Sequence, residues 1–180
     1  LGKIDEAISS HRRAVQLKPD YAHAYSNLLL SLQYKIDLTH DQYLPIAQEF
    51  GRNCSPDDKT IPCNYIYTIK PTKLRIGFVS SDFGNHPGGY FSFSTLKELK
   101  NKNLELIAYS NFDRKDQLAH QFRYLFTEWR SIENLTDKEV ATLVIKDGIH
   151  ILVDLQGHTS RNRLPVFAYK PAPIQVSWLS

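Results

Sequence analysis

The sequence predicts an α/β lobe with a parallel sheet at residues 73–180, preceded by an α-helical region at residues 1–52. From residue 73 onward, apolar segments with strand character alternate with helical segments, and the strand segments have no polar face. Strands that are apolar on both faces are typical of parallel sheets covered by helices on both sides. Residues 53–72 contain three prolines and no clear period, so we predict a linker there.

The composition excludes several classes of protein. The chain has 180 residues, of which 42% are hydrophobic and 23% charged, as in globular proteins with a buried core. The net charge of +3 is small and Lys and Arg form no stripe, so we expect no nucleic-acid partner. No apolar stretch approaches the ~20 residues that span a bilayer, so we expect no membrane segment. The first residues lack the order of a signal peptide and the chain has no Met, so we expect an internal piece of a longer protein.

The helical region has the pattern of a repeat. Residues 1–35 predict two helices separated near Pro19, and Ala24, Leu28 and Leu32 share one face of the second helix. Small residues at a fixed spacing allow two helices to approach closely, and a proline sets the turn between hairpins. This pattern is typical of tetratricopeptide repeats, whose period is about 34 residues. An ordinary helical hairpin is the alternative.

The other elements follow in order along the chain. Thr136 followed by Glu139 three residues later predicts the capping box of a helix that ends near Gly148. The remaining predicted elements are a helix at 41–52 capped by Asp41, strands at 74–80, 104–109, 150–155 and 174–179, and helices at 90–100, 116–129 and 163–169.

Two polar loops follow the first and third predicted strands, at residues 80–89 and 156–163. In open parallel sheets, ligands bind at the carboxyl ends of the strands. Each loop carries a histidine, His86 or His158, together with flexible glycines. A single loop histidine is often structural, but two loops that converge on one edge favour a functional site. Asp154 lies within an apolar strand, where a charge is costly unless it is paired.

Neighbouring residues refine this prediction. Gly88 and Gly89 would allow a helix N-terminus to approach a sugar or phosphate, although the spacing of a phosphate-binding loop is absent. Arg161 and Arg163 lie near His158 and could bind anionic groups. No two histidines have the spacing of metal ligands, so we predict no metal.

Three segments in order carry a resemblance to a known family. They are LRIGFVSSDFGNHP at residues 74–87, DGIHILVDLQGHT at 147–159 and KPAPIQVSWL at 170–179, and they follow a tetratricopeptide-like end. With these segments the chain resembles the protein O-GlcNAc transferase family, glycosyltransferase family 41, which includes SPINDLY-like O-fucosyltransferases. The resemblance covers nearly the whole chain, and its Gly-His-Thr form at residues 157–159 is similar to the bacterial and SPINDLY-like members.

The resemblance implies a fold and an activity. The fold would be the Rossmann-like N-terminal half of a GT-B glycosyltransferase, behind the last tetratricopeptide repeats. The activity would be an inverting, metal-independent transfer of a sugar, GlcNAc from UDP-GlcNAc first, to Ser or Thr of intracellular proteins. No cofactor is implied beyond this nucleotide-sugar substrate. Most nucleotide-binding residues of the family lie in a second, C-terminal lobe that this sequence lacks, so we expect the 180 residues alone to be inactive.

The resemblance also assigns residues. His86 matches the family's active-site histidine, and His158 is assigned beside it as the second catalytic residue. The residues assigned to substrate binding are Asp82, Asn85, Pro87, Asp154, Gln156, Gly157 and Thr159. Which group accepts the proton of the acceptor hydroxyl stays open.

The implied partners are protein acceptors bound by the repeats, a nucleotide sugar and the second lobe. The implied location is the cytoplasm, or also the nucleus in a eukaryote. Three alternatives remain: an O-fucosyltransferase of the SPINDLY type, a tetratricopeptide interaction module on a lobe without catalytic activity, and a GT-B or Rossmann-type enzyme acting on small molecules.

Overall fold

A computed structural model describes residues 3–55 and 71–178 of the chain. The chain falls into two compact units that divide near residue 58, and each unit is considered by itself. Most of the predicted linker at 53–72 lies outside the described residues, as does the predicted end of the last strand at Leu179. The domain boundaries drawn from the sequence stay predictions. No helix within the two described ranges is long and apolar enough to cross a membrane.

The first unit contains three helices, α1 (Ile4–Leu17), α2 (Ala22–Leu32) and α3 (His40–Asn53). The face of α2 predicted from its periodicity is buried, because Ala24, Leu28 and Leu32 are each at most 4% exposed. Leu28 and Leu32 pack in a core to which α1 contributes Ile8 and α3 contributes Ile46. The assignment of these helices to a tetratricopeptide repeat stays a prediction.

The start of α3 differs from the sequence prediction. Thr39, not Asp41, caps the helix, and its side chain forms a capping box with Gln42. Asp41 lies instead in the first turn, where its charge interacts favourably with the positive end of the helix dipole.

The second unit is a five-stranded parallel sheet with helices between its strands. The strand order is β3-β2-β1-β4-β5, which is the Rossmann-like order. The α/β class predicted from the sequence is therefore confirmed. The elements are β1 (Leu74–Ser80), α4 (Pro87–Lys100), β2 (Leu104–Ser110), α5 (Gln117–Leu125), β3 (Glu128–Ser131), α6 (Asp137–Lys146), β4 (Ile151–Asp154), α7 (Leu164–Ala168) and β5 (Ile174–Ser177).

Apolar side chains of the central strands point alternately to the two faces of the sheet. Phe78 of β1 packs in a core with residues of α4 and α5, whereas Val79 packs in a second core with residues of α6 and α7. Gly77 keeps β1 close to Tyr109, because a Cβ at residue 77 would lie 2.8 Å from the Tyr109 ring. The two cores hold the sheet between two layers of helices, with α4 and α5 on one side and α6 and α7 on the other.

The helix predicted at 116–129 is too long. Helix α5 ends at Leu125, and Glu128–Ser131 form the edge strand β3, which the sequence analysis missed. Trp129 has its ring 5.6 Å from that of Phe126 and 5.4 Å from that of Phe83, so it packs in an aromatic cluster from a strand. Apolar residues three apart, as Phe126 and Trp129 are, suit a helix equally well, which explains the error.

The capping box predicted for α6 is confirmed. The Thr136 hydroxyl accepts a hydrogen bond from the Glu139 amide, and the Glu139 carboxylate accepts one from the Thr136 amide. The bond from the Thr136 amide, together with one that the Thr136 hydroxyl donates to the same carboxylate, lowers the pKa of Glu139.

Replacing the cap of α6 should destabilise the second unit. We expect Thr136→Ala to lower the free energy of unfolding by about 1 kcal/mol, because the first turn loses a side-chain acceptor. Urea unfolding monitored by circular dichroism measures this change. The matched control is Thr142→Ala on the exposed middle of the same helix, where alanine should be neutral or slightly stabilising. Equal destabilisation by both variants would show that the cap contributes nothing specific.

Candidate active site

Three loops meet at the carboxyl edge of the sheet. β1 and β4 are parallel neighbours, with Val79 opposite Asp154, so the loops at 81–86 and 155–163 leave the sheet side by side. This pairing confirms the predicted placement of the two polar loops. β2 lies on the other side of β1, and its loop at 111–116 joins the same edge. This third loop was not among those predicted from the sequence to carry functional residues.

Gln156 connects the loop after β4 to the loop after β1. Its Oε1 accepts hydrogen bonds from the Ser81 amide at 2.9 Å and the Ser80 hydroxyl at 3.1 Å. Its Nε2 donates to Asp82 Oδ2 at 2.9 Å and to Thr159 Oγ1 at 3.0 Å. The side chain is buried, so both ends of the amide bond to the protein inside a region from which water is largely excluded. Gln156 therefore holds the two loops in a fixed relation.

Asp82 is a buried carboxylate with partners from all three loops. Arg114, from the loop after β2, donates from Nη2 to Asp82 Oδ1 at 2.8 Å and from Nε to the Ser81 carbonyl at 3.0 Å. Gln156 donates to the other carboxylate oxygen. Arg114 is a residue that the sequence analysis missed. The rule that selected the other loops, that of strand carboxyl ends in a parallel sheet, would have selected it too.

His86 stands at the N-terminus of α4, whose first residue is Pro87. Its side chain is 39% exposed, so the ring reaches solvent at the edge of the sheet. The Nδ1 atom lies 3.2 Å from the Gly88 amide nitrogen and 3.1 Å from Asp82 Oδ2. The Nδ1 atom is thus in contact with the protein, while part of the side chain remains exposed to solvent.

The glycines in this region have different roles. A Cβ at residue 89 would lie 2.1 Å from the Gly84 carbonyl oxygen and 2.6 Å from that of Asp82, so only glycine fits there. A Cβ at residue 88 would meet nothing closer than 3.5 Å. Gly89 is therefore required for α4 to pack against the loop after β1, and this close approach positions His86.

Asp154 is held by hydrogen-bond donors. Its carboxylate accepts bonds from the amides of Gln156 at 3.1 Å and Gly157 at 2.9 Å, and from the Ser177 hydroxyl at 3.3 Å. Burial raises the pKa of this carboxyl, and the two amides act in the opposite direction. Gly157 has a φ of 53°, a conformation that favours glycine. Asp154 and Gly157 together turn the chain out of β4 into its loop.

The other residues assigned from the sequence lie on or beside these loops. Asn85 is exposed, and its Oδ1 accepts a bond from the Tyr90 hydroxyl at 3.0 Å. Thr159 is exposed and bonds to Gln156 through its hydroxyl. His158 is half-buried, and this burial lowers its pKa. The structure brings the residues assigned from the sequence to one edge, and their contact with a substrate stays a prediction.

Arg163 differs from its expected role. It is 9% exposed, and its guanidinium donates to Asp137 Oδ1, to Asn111 Oδ1 and to two backbone carbonyls. A guanidinium with these partners supports the loops and is not available to an anion. Arg161 instead stacks on Phe112, with 3.7 Å between the guanidinium carbon and the ring centroid.

Comparison with known proteins agrees with this architecture. The model of glycosyl transferase family 41 matches residues 29–180. A rice (Oryza sativa subsp. japonica) protein named probable UDP-N-acetylglucosamine–peptide N-acetylglucosaminyltransferase SPINDLY is 32% identical over 180 residues, covering 96% of this chain and 19% of its own length. A Caenorhabditis elegans UDP-N-acetylglucosamine–peptide N-acetylglucosaminyltransferase is 36% identical over 114 residues, which is 59% of this chain and 10% of that protein.

A solved structure shares the fold. A mutant of the O-GlcNAc transferase of Thermobaculum terrenum superposes with a TM-score of 0.83 at 36% identity, covering 99% of this chain and 34% of that one. The fold and the polar edge define an α/β lobe of the glycosyltransferase type. The chain belongs to glycosyl transferase family 41. It spans about a fifth of the length of the rice relative and a third of the bacterial chain.

The buried state of His158 predicts a pH dependence of stability. Its pKa is lowered below the ordinary value of 6.5, so the unfolded chain binds this proton more tightly than the folded chain. The free energy of unfolding should therefore rise with pH up to about 6.5 and gain nothing more from His158 above that pH. Urea unfolding at several pH values should show a smaller slope below pH ~6.5 in His158→Gln.

The matched control for this experiment is His120→Gln, at an exposed position on α5. Comparing the pH slope of its free energy of unfolding with that of His158→Gln separates the effect of burial at residue 158 from the loss of a histidine as such. If the free energy of unfolding had the same pH dependence in the wild type and in His158→Gln, the lowered pKa of His158 would be contradicted.

Proposed function

We propose that this lobe is the acceptor side of a protein O-glycosyltransferase that transfers a sugar from a nucleotide sugar to a Ser or Thr hydroxyl. The donor we propose first is UDP-GlcNAc. The observation that carries the proposal is the position of His86, whose partly exposed ring is held at the carboxyl edge by the buried Asp82, which in turn binds Arg114 and Gln156. Membership of family 41 and the names of the rice and C. elegans relatives support the reaction class.

The chemistry suits a histidine at this place. In an inverting transfer, the acceptor oxygen attacks the anomeric carbon from the face opposite the nucleotide. The new carbon–oxygen bond forms as the bond to the diphosphate breaks, and that electron pair leaves with the nucleotide. The hydroxyl is a poor nucleophile, so the reaction gains from a nearby group that accepts its proton, and imidazole titrates in the useful range. We assign this role to His86.

The mechanism we propose is metal-independent. The negative charge that develops on the leaving diphosphate must then be stabilised by positively charged side chains or helix-end amides. In the GT-B arrangement implied by the sequence resemblance, the nucleotide lies between two lobes, and most of its ligands belong to the second. This lobe would supply the groups that face the acceptor and the sugar.

GDP-fucose is the second candidate donor. Several SPINDLY proteins match more than 90% of the chain, including those of tomato (Solanum lycopersicum) and barley (Hordeum vulgare). The SPINDLY-like branch of the family includes O-fucosyltransferases, so the choice between the two sugars is open to a direct test. The helical unit at 3–55 is proposed to belong to the repeats that bind protein acceptors, and the location proposed is the cytoplasm.

The donor test uses the complete protein that contains this lobe, an acceptor peptide and each labelled nucleotide sugar in turn. Label incorporated from UDP-GlcNAc supports the first proposal, and label from GDP-fucose alone supports the second. The 180-residue chain, assayed in parallel, should transfer neither sugar, because one lobe alone cannot hold the donor in the reacting position. Absence of transfer by the complete protein with both donors, combined with retained peptide binding, would favour an interaction module.

Replacing His86 tests its role in the reaction. We expect His86→Ala in the complete protein to lower kcat by roughly 10²-fold or more, the scale of losing a general base. The fold should persist, because the ring lies at the edge and contributes little to either core. Circular dichroism checks the fold, and initial-rate kinetics measure the loss. The control His120→Ala, at an exposed position on α5, should keep normal activity. A kcat near normal for His86→Ala would make that histidine structural.

A further inference from the structure

Two hydrogen bonds compete for one atom of His86. The Nδ1 atom lies 3.2 Å from the Gly88 amide nitrogen, which can only donate, and 3.1 Å from Asp82 Oδ2, which as a carboxylate oxygen can only accept. In a neutral imidazole each ring nitrogen is either a donor or an acceptor. Nδ1 therefore satisfies one of these neighbours at a time. The choice decides whether the other ring nitrogen, Nε2, carries a proton or a lone pair.

The surroundings of Asp82 favour donation by Nδ1. The Asp82 side chain is 8% exposed, so its charge is poorly hydrated. A lone pair of Nδ1 placed 3.1 Å from Asp82 Oδ2 would be repelled, and the low local dielectric strengthens that repulsion. A proton on Nδ1 converts the same contact into a charge-assisted hydrogen bond.

The competing donor has an alternative partner. Gly88 lies in the first turn of α4 and is half-exposed, so its amide can bond to water. The amide therefore loses little when Nδ1 does not accept from it. The buried Asp82 carboxylate has little access to water, so a hydrogen bond from Nδ1–H stabilises it more than a bond to Nδ1 would stabilise the Gly88 amide.

Two residues hold Asp82 in the orientation that this bond requires. Arg114 binds Oδ1 at 2.8 Å, and Gln156 binds Oδ2 at 2.9 Å. The guanidinium also donates to the Ser81 carbonyl, and the Gln156 Oε1 accepts from the Ser81 amide, so both partners are themselves fixed to the backbone beside Asp82. The carboxylate cannot rotate without breaking one of these bonds.

We propose that Asp82, held by Arg114 and Gln156, is the positioning residue of His86. It accepts a hydrogen bond from Nδ1–H and so keeps the lone pair on Nε2, the other ring nitrogen of this partly exposed side chain. One consequence rests on the proposed function: Nε2 then receives the proton of the acceptor hydroxyl, and Asp82 stabilises the resulting imidazolium. The tautomer itself is a property of this chain and does not depend on any reaction.

The test is the tautomer of His86, observed by long-range ¹H–¹⁵N correlation in the 180-residue chain labelled with ¹⁵N-histidine at mildly alkaline pH. His86→Gln identifies the signals by their loss. In the wild type we expect a protonated Nδ1 and an unprotonated Nε2. In Asp82→Asn, the side-chain amide can donate to Nδ1, so we expect the population to shift toward the form protonated at Nε2. A wild type protonated at Nε2, or a tautomer unchanged in Asp82→Asn, would overturn the proposal.

A second variant, Arg114→Lys, tests the same proposal if Asp82→Asn fails to fold. Arg114→Lys keeps the charge but loses the planar fork that fixes Asp82, so it should shift the tautomer part of the way. The matched control is Arg75→Lys at the amino end of β1, opposite to the site, where the guanidinium binds Glu105 and Glu128 in the same forked manner. It should leave the His86 signals unchanged. Equal shifts in both lysine variants would contradict a specific role for Arg114.

Kinetics of the complete protein separate this proposal from the proposed function. If both hold, Asp82→Asn should lower kcat by roughly 10²-fold with little change in KM, because Asp82, which the sequence resemblance assigned to substrate binding, is only 8% exposed and acts in this proposal through His86. The predicted tautomer combined with a normal kcat in His86→Ala would support the positioning by Asp82 and reject the catalytic role of His86. A loss of kcat in His86→Ala combined with a His86 protonated at Nε2 would support the catalytic role of His86 and reject its positioning by Asp82.

Discussion

The parallel pairing of β1 with β4 brings together two loops that are far apart in the sequence. Val79 stands opposite Asp154, and each strand ends within a residue of that pair. Two residues beyond β4, Gln156 reaches Asp82 across a sequence separation of 74 residues. Because side chains alternate along a strand, a shift of one residue in this pairing would turn the polar groups away from each other. The geometry of the edge therefore depends on the register of these two strands.

This register places the buried polar groups of the loops where they can form hydrogen bonds with one another. Buried carboxylates and amides are costly when they lack partners, and the removal of one member leaves the others unsatisfied. Asp154 is held by backbone amides, whereas Asp82 is held by Arg114 and Gln156. A network of this kind is rigid, so it can hold an accessible histidine in one position. Rigidity at the edge links the fold to the proposed chemistry.

The sequence predicted the parts of this structure that depend on periodicity and on strand ends. The central strands, the α6 capping box and the two polar loops follow from such local patterns. Strand β3 was missed because Phe126 and Trp129 fit a helical spacing as well as the aromatic cluster in which they pack. The strand-end rule could have selected the loop that carries Arg114, but its particular role depends on contacts with Asp82 and Ser81, and no local pattern reports contacts between loops.

Amide hydrogen exchange of the loops tests most directly whether the three loops form one rigid unit with the sheet. The informative amides are those of Ser81, which donates to Gln156, of Gly157, which donates to Asp154, and of Asn111, which donates to the Ser80 carbonyl. If the loops are fixed as described, these amides should exchange with a protection close to that of β1 and β4, and Gln156→Ala should reduce the protection of Ser81. Exchange of all three at the rate of an unstructured peptide, while β1 and β4 stay protected, would contradict the account.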